Sequence, residues 1–337
     1  PHPSGTMLVV ADKTNWPGTA PGCGCVRAFE LESGLPVREL GEPQCSEGAG
    51  PCHLTVTQRH VLVANYVGGT VAVLPILPNG AGVGPSVCVL THPSSGAGAH
   101  ARQDMAHPHM ITLSPDQRFA FVPDLGNNMV VAYAFDDLSG QLTPHGQTPM
   151  PRGVGPRHMA FHPDAEFAYV LNELSNTVST LPYNASTGAL APPVATISAL
   201  VEQPGRRSDR GGAAEIVASP DGKRVYCTVR LGRDTDPMRA APAFPFGVEY
   251  NVVATFAVKE GGGGLTLLGN VSSGGSMPWG CVLVPGAAGH GGTEDLLLVQ
   301  NQYQAWQGEG KGTGGEGVGQ LAAFTAGGEG GAAFVGI

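Results

Sequence analysis

The chain has 337 residues, a net charge of -9 and 13% charged residues. That length suffices for a large core, and the sparse Lys and Arg argue against nucleic acid as the main partner, because phosphate-backbone binding needs dense positive charge. Apolar residues make up 42% of the chain, yet no apolar run approaches the roughly 18 to 20 residues that cross a bilayer, so no membrane partner is expected.

In chain order, the sequence opens at Pro1 in what reads as mid-repeat. The expectation is that one blade's worth of chain lies upstream, and with it any targeting segment, which leaves an organellar location open. Met7 to Lys13 matches only the second strand of a unit onward. Cys23 and Cys25 then form a C-x-C in a Gly/Pro loop; no second ligand pair follows at zinc spacing. The seven cysteines are odd in number and scattered, which predicts free thiols in a reducing, cytoplasmic compartment.

From His53 onward a unit of ~50 residues recurs. Copies run from His53 to Leu77, His109 to Leu142 and His158 to Leu190. Another runs from Glu215 to Leu231 and resumes at Asn251 to Leu265, and a last from Gly280 to Gln302. In each, an apolar strand A ends at Ser-Pro-Asp or His-Pro-Asp, a turn with Pro and Asp in favoured places. A second strand B rich in Val, Phe and Tyr follows, then a polar loop, a third strand, a Ser-Gly or Thr-Gly turn and a weaker fourth strand. No segment has helical periodicity. The fold class is therefore all-β, a β-propeller of four-stranded blades forming one domain over 1–337, with about six units visible. Insertions are expected at about 232–250 and 303–317, where the repeat is interrupted.

Antiparallel geometry places the A-strand starts and the B–C loops on one face. At the A-strand start stand His53, His109, His158, Glu215 and Gly280, and one residue earlier Cys52, Pro108, Arg157, Ala214 and Trp279. Strand B ends at Asp12, Asn65, Asp124, Asn172, Val229 and Asn301, followed by Lys13, Tyr66, Leu125, Glu173, Arg230 and Gln302. The recurrent Asn/Asp ring reads as scaffold that satisfies turn backbone. Arg157, Glu173 and Arg230 break the pattern, with charge where other blades mostly carry neutral or apolar groups. Such charges suit an anionic small molecule, since Arg is the preferred fork for carboxylate or phosphate. An internal ion pair between Glu173 and one arginine is the alternative. No Walker-type loop, dinucleotide fingerprint, H-E-x-x-H or Gly-x-Ser-x-Gly elbow is present.

AHPH (Ala106 to His109), SPDQRFAFVPDLG (Ser114 to Gly126), GPRHMAFHPDAEFAYVLNEL (Gly155 to Leu174), AAEIVASPDG (Ala213 to Gly222) and GPCHLTV (Gly50 to Val56) resemble the lactonase family of seven-bladed propellers. That family includes bacterial-type 6-phosphogluconolactonases and fungal carboxy-muconate lactonising enzymes. The resemblance implies seven blades, and functional positions at His109, Arg157, Glu173 and Arg230, with Glu215 from the A-A-E-I motif and His53 and His158 as substrate-binding candidates. It implies hydrolysis of an anionic sugar-acid lactone, 6-phosphogluconolactone foremost, with Glu173 or His109 activating water and no metal or other cofactor required. Lactonisation of an unsaturated diacid and a non-catalytic propeller that binds a protein or metabolite are the alternatives. Val229-Arg230 departs from the family's usual Asn-Arg.

Overall fold

A computed structural model describes residues 1–13, 22–96, 98–201, 211–231, 251–284, 286, 295–304, 320–328 and 331–336. The insertion expected at 232–250 lies outside the described residues, as does the one at 303–317 from residue 305 on. Among the described residues the regular elements are strands, apart from two 3-10 turns at Pro78–Gly80 and Ala101–Gln103.

The strands form six antiparallel sheets, each following chain order closely. The first holds β1 (Met7–Asp12), β2 (Cys25–Glu32) and β3 (Leu35–Cys45), three strands, as the partial opening unit predicts. The second holds β4 (Pro51–Val56), β5 (His60–Asn65), β6 (Thr70–Pro75) and β7 (Cys88–Thr91). The third holds β8 (Thr112–Leu113), β9 (Phe119–Asp124), β10 (Met129–Asp136) and β11 (Gln141–Pro149). In the fourth, β12 (Pro156–Phe161), β13 (Phe167–Asn172) and β14 (Thr177–Asn184) run in order. The short β15 (Ala189–Leu190) follows in the chain, and β16 (Ala195–Ser198) pairs with β14. The fifth holds β17 (Gly211–Ala218), β18 (Arg224–Leu231), β19 (Asn251–Val258) and β20 (Leu265–Ser272). The sixth holds β21 (Gly275–Val284), β22 (Asp295–Gln304), β23 (Gln320–Gly328) and β24 (Gly331–Gly336). The chain divides into two compact units, Pro1–Arg157 with Asn184–Ala191, and His158–Tyr183 with Pro192–Ile337.

Within each unit the cores lie between neighbouring sheets. Because side chains alternate along a strand, β5 buries both faces. Val61 and Val63 join Val9, Val26 and Ala28 of the first sheet, while Leu62 and Ala64 join Ala120, Val122 and Val131 of the third. In the second unit β18 does the same. Val225, Cys227 and Val229 pack with Tyr169, Leu171 and Val178, and Tyr226 packs with Leu297, Val299 and Phe324. Two buried faces explain why the B strands read as continuous apolar runs.

The turns after strand A follow from their sequence. Ser114 Oγ donates to Asp116 Oδ1 at 2.6 Å, and Ser219 repeats this with Asp221 at 2.6 Å. The residue after each Asp adopts a left-handed backbone: Gln117 (φ 58°), Ala165 (φ 56°) and Gly222 (φ 70°). Only the last is a glycine, and it alone meets no Cβ penalty there. An added Cβ at Gly222 would also lie 2.7 Å from His162 Nε2.

The thiol expectation needs one correction. Cys23 is bonded to Cys45 in a disulfide, so Cys23 is neither a free thiol nor half of a thiolate pair with Cys25. The bridge ties Cys23, two residues before β2, to the end of β3, a closure worth about 3 kcal/mol by loop entropy. Cys25, Cys52, Cys88, Cys227 and Cys281 are free, and burial pushes the thiols of Cys25, Cys227 and Cys281 up. Denatured, unreduced protein should therefore titrate five thiols with a disulfide-exchange reagent and seven after reduction. Seven without reduction, in protein taken from its own cell, would mean a reducing compartment and no bridge.

Candidate active site

The Asn/Asp ring is scaffold, as expected. Asn65 Nδ2 donates to Ser46 O (2.6 Å), Asn172 Nδ2 to Thr177 Oγ1 (2.9 Å), and Asn301 Nδ2 to Ser273 O (2.9 Å). Asp124 accepts the backbone N–H groups of His107 (2.8 Å) and Asn127 (2.9 Å). Its other oxygen accepts from His92 Nδ1 (2.7 Å), and His92 Nε2 accepts from Tyr133 Oη (2.8 Å), a buried chain that strand spacing does not reveal. These bonds fix the loops that follow four of the B strands, and Asn176, at φ 54°, completes the turn after Glu173.

In the second unit, the pattern-breaking Glu173 and Arg230 meet. Arg230 Nη2 donates to Glu173 Oε1 at 2.8 Å, with the side chains 5% and 3% exposed. Its Nε donates to Gly212 O at 2.8 Å, and Nη2 also lies 3.4 Å from Ala213 O. The Trp279 indole covers the guanidinium, 4.3 Å from Cζ to ring centroid, and is itself 38% exposed. Burying two charges is costly unless geometry and further hydrogen bonds offset desolvation. Two carbonyls and an aromatic face do so here. Gly212 leaves room for this pair: a Cβ there would lie 2.8 Å from Glu173 Oε1 and 3.0 Å from Arg230 Nη2.

His158 and Glu215 form a second pair in the same unit. His158 Nδ1 donates to Glu215 Oε1 at 2.8 Å. That oxygen also accepts the Ile216 N–H at 3.0 Å, and the Glu215 N–H donates to Thr228 Oγ1 at 3.1 Å. The β17–β18 register shifts between Ala213 and Ile216, and the β21–β22 register shifts between Pro278 and Gly280. A β-bulge re-aims the side chains it contains. Ala214, Glu215 and Trp279 therefore stand out of the regular alternation.

The first unit holds His53, His109 and Arg157. The β4–β5 register shifts between Pro51 and His53, so Cys52 occupies the bulge, and its thiol donates to His109 O at 3.3 Å. The buried His109 is flanked edge-on by Tyr66 at 5.0 Å, and Tyr66 stacks on His107 at 4.4 Å. His107 Nδ1 lies 2.8 Å from Tyr66 O. His53 is half-buried on β4 and Arg157 is buried on β12. Asn128 Oδ1 accepts the Gly155 N–H at 3.0 Å and so holds the segment leading to Arg157. Gly212, Trp279, His107 and Tyr66 escaped the sequence reading as site residues. Trp279 and Tyr66 stood in the aligned rings, where each was the one aromatic residue, and that was the available signal. No cluster of three or more His, Cys, Asp or Glu able to hold a metal occurs among the described residues.

Residues 2–287 match the family model described as Lactonase, 7-bladed beta-propeller. A curated relative, 6-phosphogluconolactonase of Bacillus subtilis (strain 168), is 31% identical over 285 residues, covering 84% of this chain and 72% of the relative. Among solved structures, Pseudomonas aeruginosa periplasmic gluconolactonase, PpgL, superposes with a TM-score of 0.75 at 25% identity, over 99% of this chain and 82% of that one. A Lactobacillus plantarum protein gives 0.74 at 25% identity, over 99% and 81%. With the blades, the motifs and these matches in agreement, the chain belongs to the lactonase family of seven-bladed β-propellers.

Proposed function

We propose that the protein hydrolyses a sugar-acid lactone, 6-phosphogluconolactone foremost, to the open acid. The observation that carries this is the buried Glu173–Arg230 pair, set at the loop positions where this family's motifs fall. Water attack on a lactone carbonyl builds negative charge on the carbonyl oxygen, and a guanidinium already oriented stabilises that charge without reorganising. Arg230 is held from three sides, by Gly212 O, Glu173 and Trp279, so in this reading it is a fixed electrophilic support. Arg157, a position the family's motifs single out, is the candidate for the phosphate or carboxylate of the substrate. The anionic lactone is the partner this chemistry selects. A phosphate ester presents two oxygens that arginine's planar fork can take together.

Two expectations follow. Purified protein should open the lactone, and Arg157→Ala and Glu173→Gln should each lower kcat/KM by about 100-fold, the scale of losing one preorganised electrostatic contact. Undiminished hydrolysis by both variants, in a pH-stat assay, would remove these residues from the site. Gly212→Ala should keep the fold, at a cost of about 1–3 kcal/mol from overpacking, and still lose most activity, because its Cβ displaces the ion pair. Circular dichroism melting and the same assay separate the two effects.

A further inference from the structure

We propose that Asn251 is a positioning residue of the site: it anchors the strained turn at Met277 that sets Trp279 over Arg230, and so keeps the guanidinium oriented for the lactone carbonyl. This rests on the lactone-hydrolysing reading above. Asn251 opens β19 and stands opposite Arg230 in the β18–β19 register. It is buried, and two of its groups reach the segment that leads into β21. Its backbone carbonyl accepts the Ser273 N–H at 2.8 Å, and its side-chain Oδ1 accepts the Met277 N–H at 3.0 Å. One rung of the fifth sheet therefore carries both Arg230 and the anchor of the strand that covers it.

Met277 has φ 58°, a left-handed backbone that a Cβ makes unfavourable. Such a conformation persists only where the surrounding structure enforces it, and the Asn251 bond falls on the N–H of this very residue. Beyond it Pro278 pairs with Asn301 and Gly280 with Gln300, so Trp279 is the extra residue of the bulge. The left-handed step at 277 and the extra residue at 279 together take the indole out of the strand alternation. It comes to lie on the guanidinium, 4.3 Å from Cζ to ring centroid.

That contact bears on the chemistry. The bonds from Nε to Gly212 O and from Nη2 to Glu173 hold the guanidinium by its edge, within its own plane. An aromatic ring on its face opposes tilting out of that plane and keeps water from that face. A cation stabilises a developing oxyanion best when it is already oriented and when water does not compete for its field. Loosening the indole should therefore cost the transition state more than it costs substrate binding, a loss in kcat and not in KM.

The test compares the full chain with W279A, W279F, N251A and N251A/M277G on 6-phosphogluconolactone, reading kcat, KM and melting temperature. A further readout is the emission of Trp279, taken as each protein's spectrum less that of the same protein carrying W279F. W279A should lose about 10- to 100-fold in kcat with KM within about threefold, and W279F, which keeps an aromatic face, should recover most of the loss. N251A should lower kcat by about tenfold and red-shift the Trp279 emission, as the indole leaves the guanidinium for water. Adding M277G to N251A should return part of the kcat, the emission and the melting temperature, because glycine takes a left-handed φ without a Cβ. Activity of W279A near the parent's would overturn the proposal, as would a W279A loss lying in KM, which would make the indole a platform for substrate instead. So would loss of activity in N251A with the Trp279 emission unchanged, or a double variant no better than N251A in all three readouts. Failure of the parent chain to open any sugar-acid lactone would instead overturn the functional reading, and the emission and melting comparisons would still test whether Asn251 sets Trp279.

Discussion

Burial of the Arg230 guanidinium is the constraint on which this site depends. A charge 5% exposed cannot remain in a protein interior without compensation, and the surrounding chain supplies it piece by piece. Gly212 provides a carbonyl and, by lacking a Cβ, the space. Asn172 and Asn176 shape the turn that delivers Glu173. A bulge in β21 presents Trp279 as the cover. Each contribution comes from a different strand or loop, so the pair also reports that β13, β17, β18 and β21 are in correct register.

The register is secured elsewhere, by the B strands. β5 and β18 are buried on both faces, and a slip of one residue would exchange the neighbours of every side chain. Asn65, Asp124 and Asn301, at the ends of their B strands, then convert a core strand into a surface loop by satisfying backbone groups that the sheet no longer reaches. Val229 is the exception: Arg230 beside it binds Gly212 O and Ala213 O itself. Here the Arg230 side chain makes backbone contacts of the kind that Asn65 and Asn301 make in their blades.

Much of this was legible in the sequence. Strand alternation, Pro-Asp turns and a recurrent Asn/Asp position identify the blades, and the breaks in that recurrence pick out Glu173 and Arg230. Their pairing was readable only as one alternative, since a charged residue that breaks a pattern does not disclose its partner. The His158–Glu215 bond was hidden for a similar reason: both residues were picked out as substrate-binding candidates at the A-strand start, a position that does not disclose which neighbour each meets until the bulge at 214–215 is known. The Cys23–Cys45 bridge depends on the β2–β3 pairing, in which Cys25 rather than Cys23 stands opposite Cys45, so spacing alone pointed to scattered thiols.

The A-strand bulges explain how one repeated framework hosts unlike chemistry. Cys52, the Ala214–Glu215 step and Trp279 occupy register shifts in three different sheets. A bulge side chain is released from the packing that fixes its neighbours on either face, so its identity changes at little cost to the core. The B-strand ends have no such freedom, because each must close a turn. Unlike groups therefore stand at the bulges and at the residue after the B strand: a thiol, a carboxylate, an indole and a guanidinium.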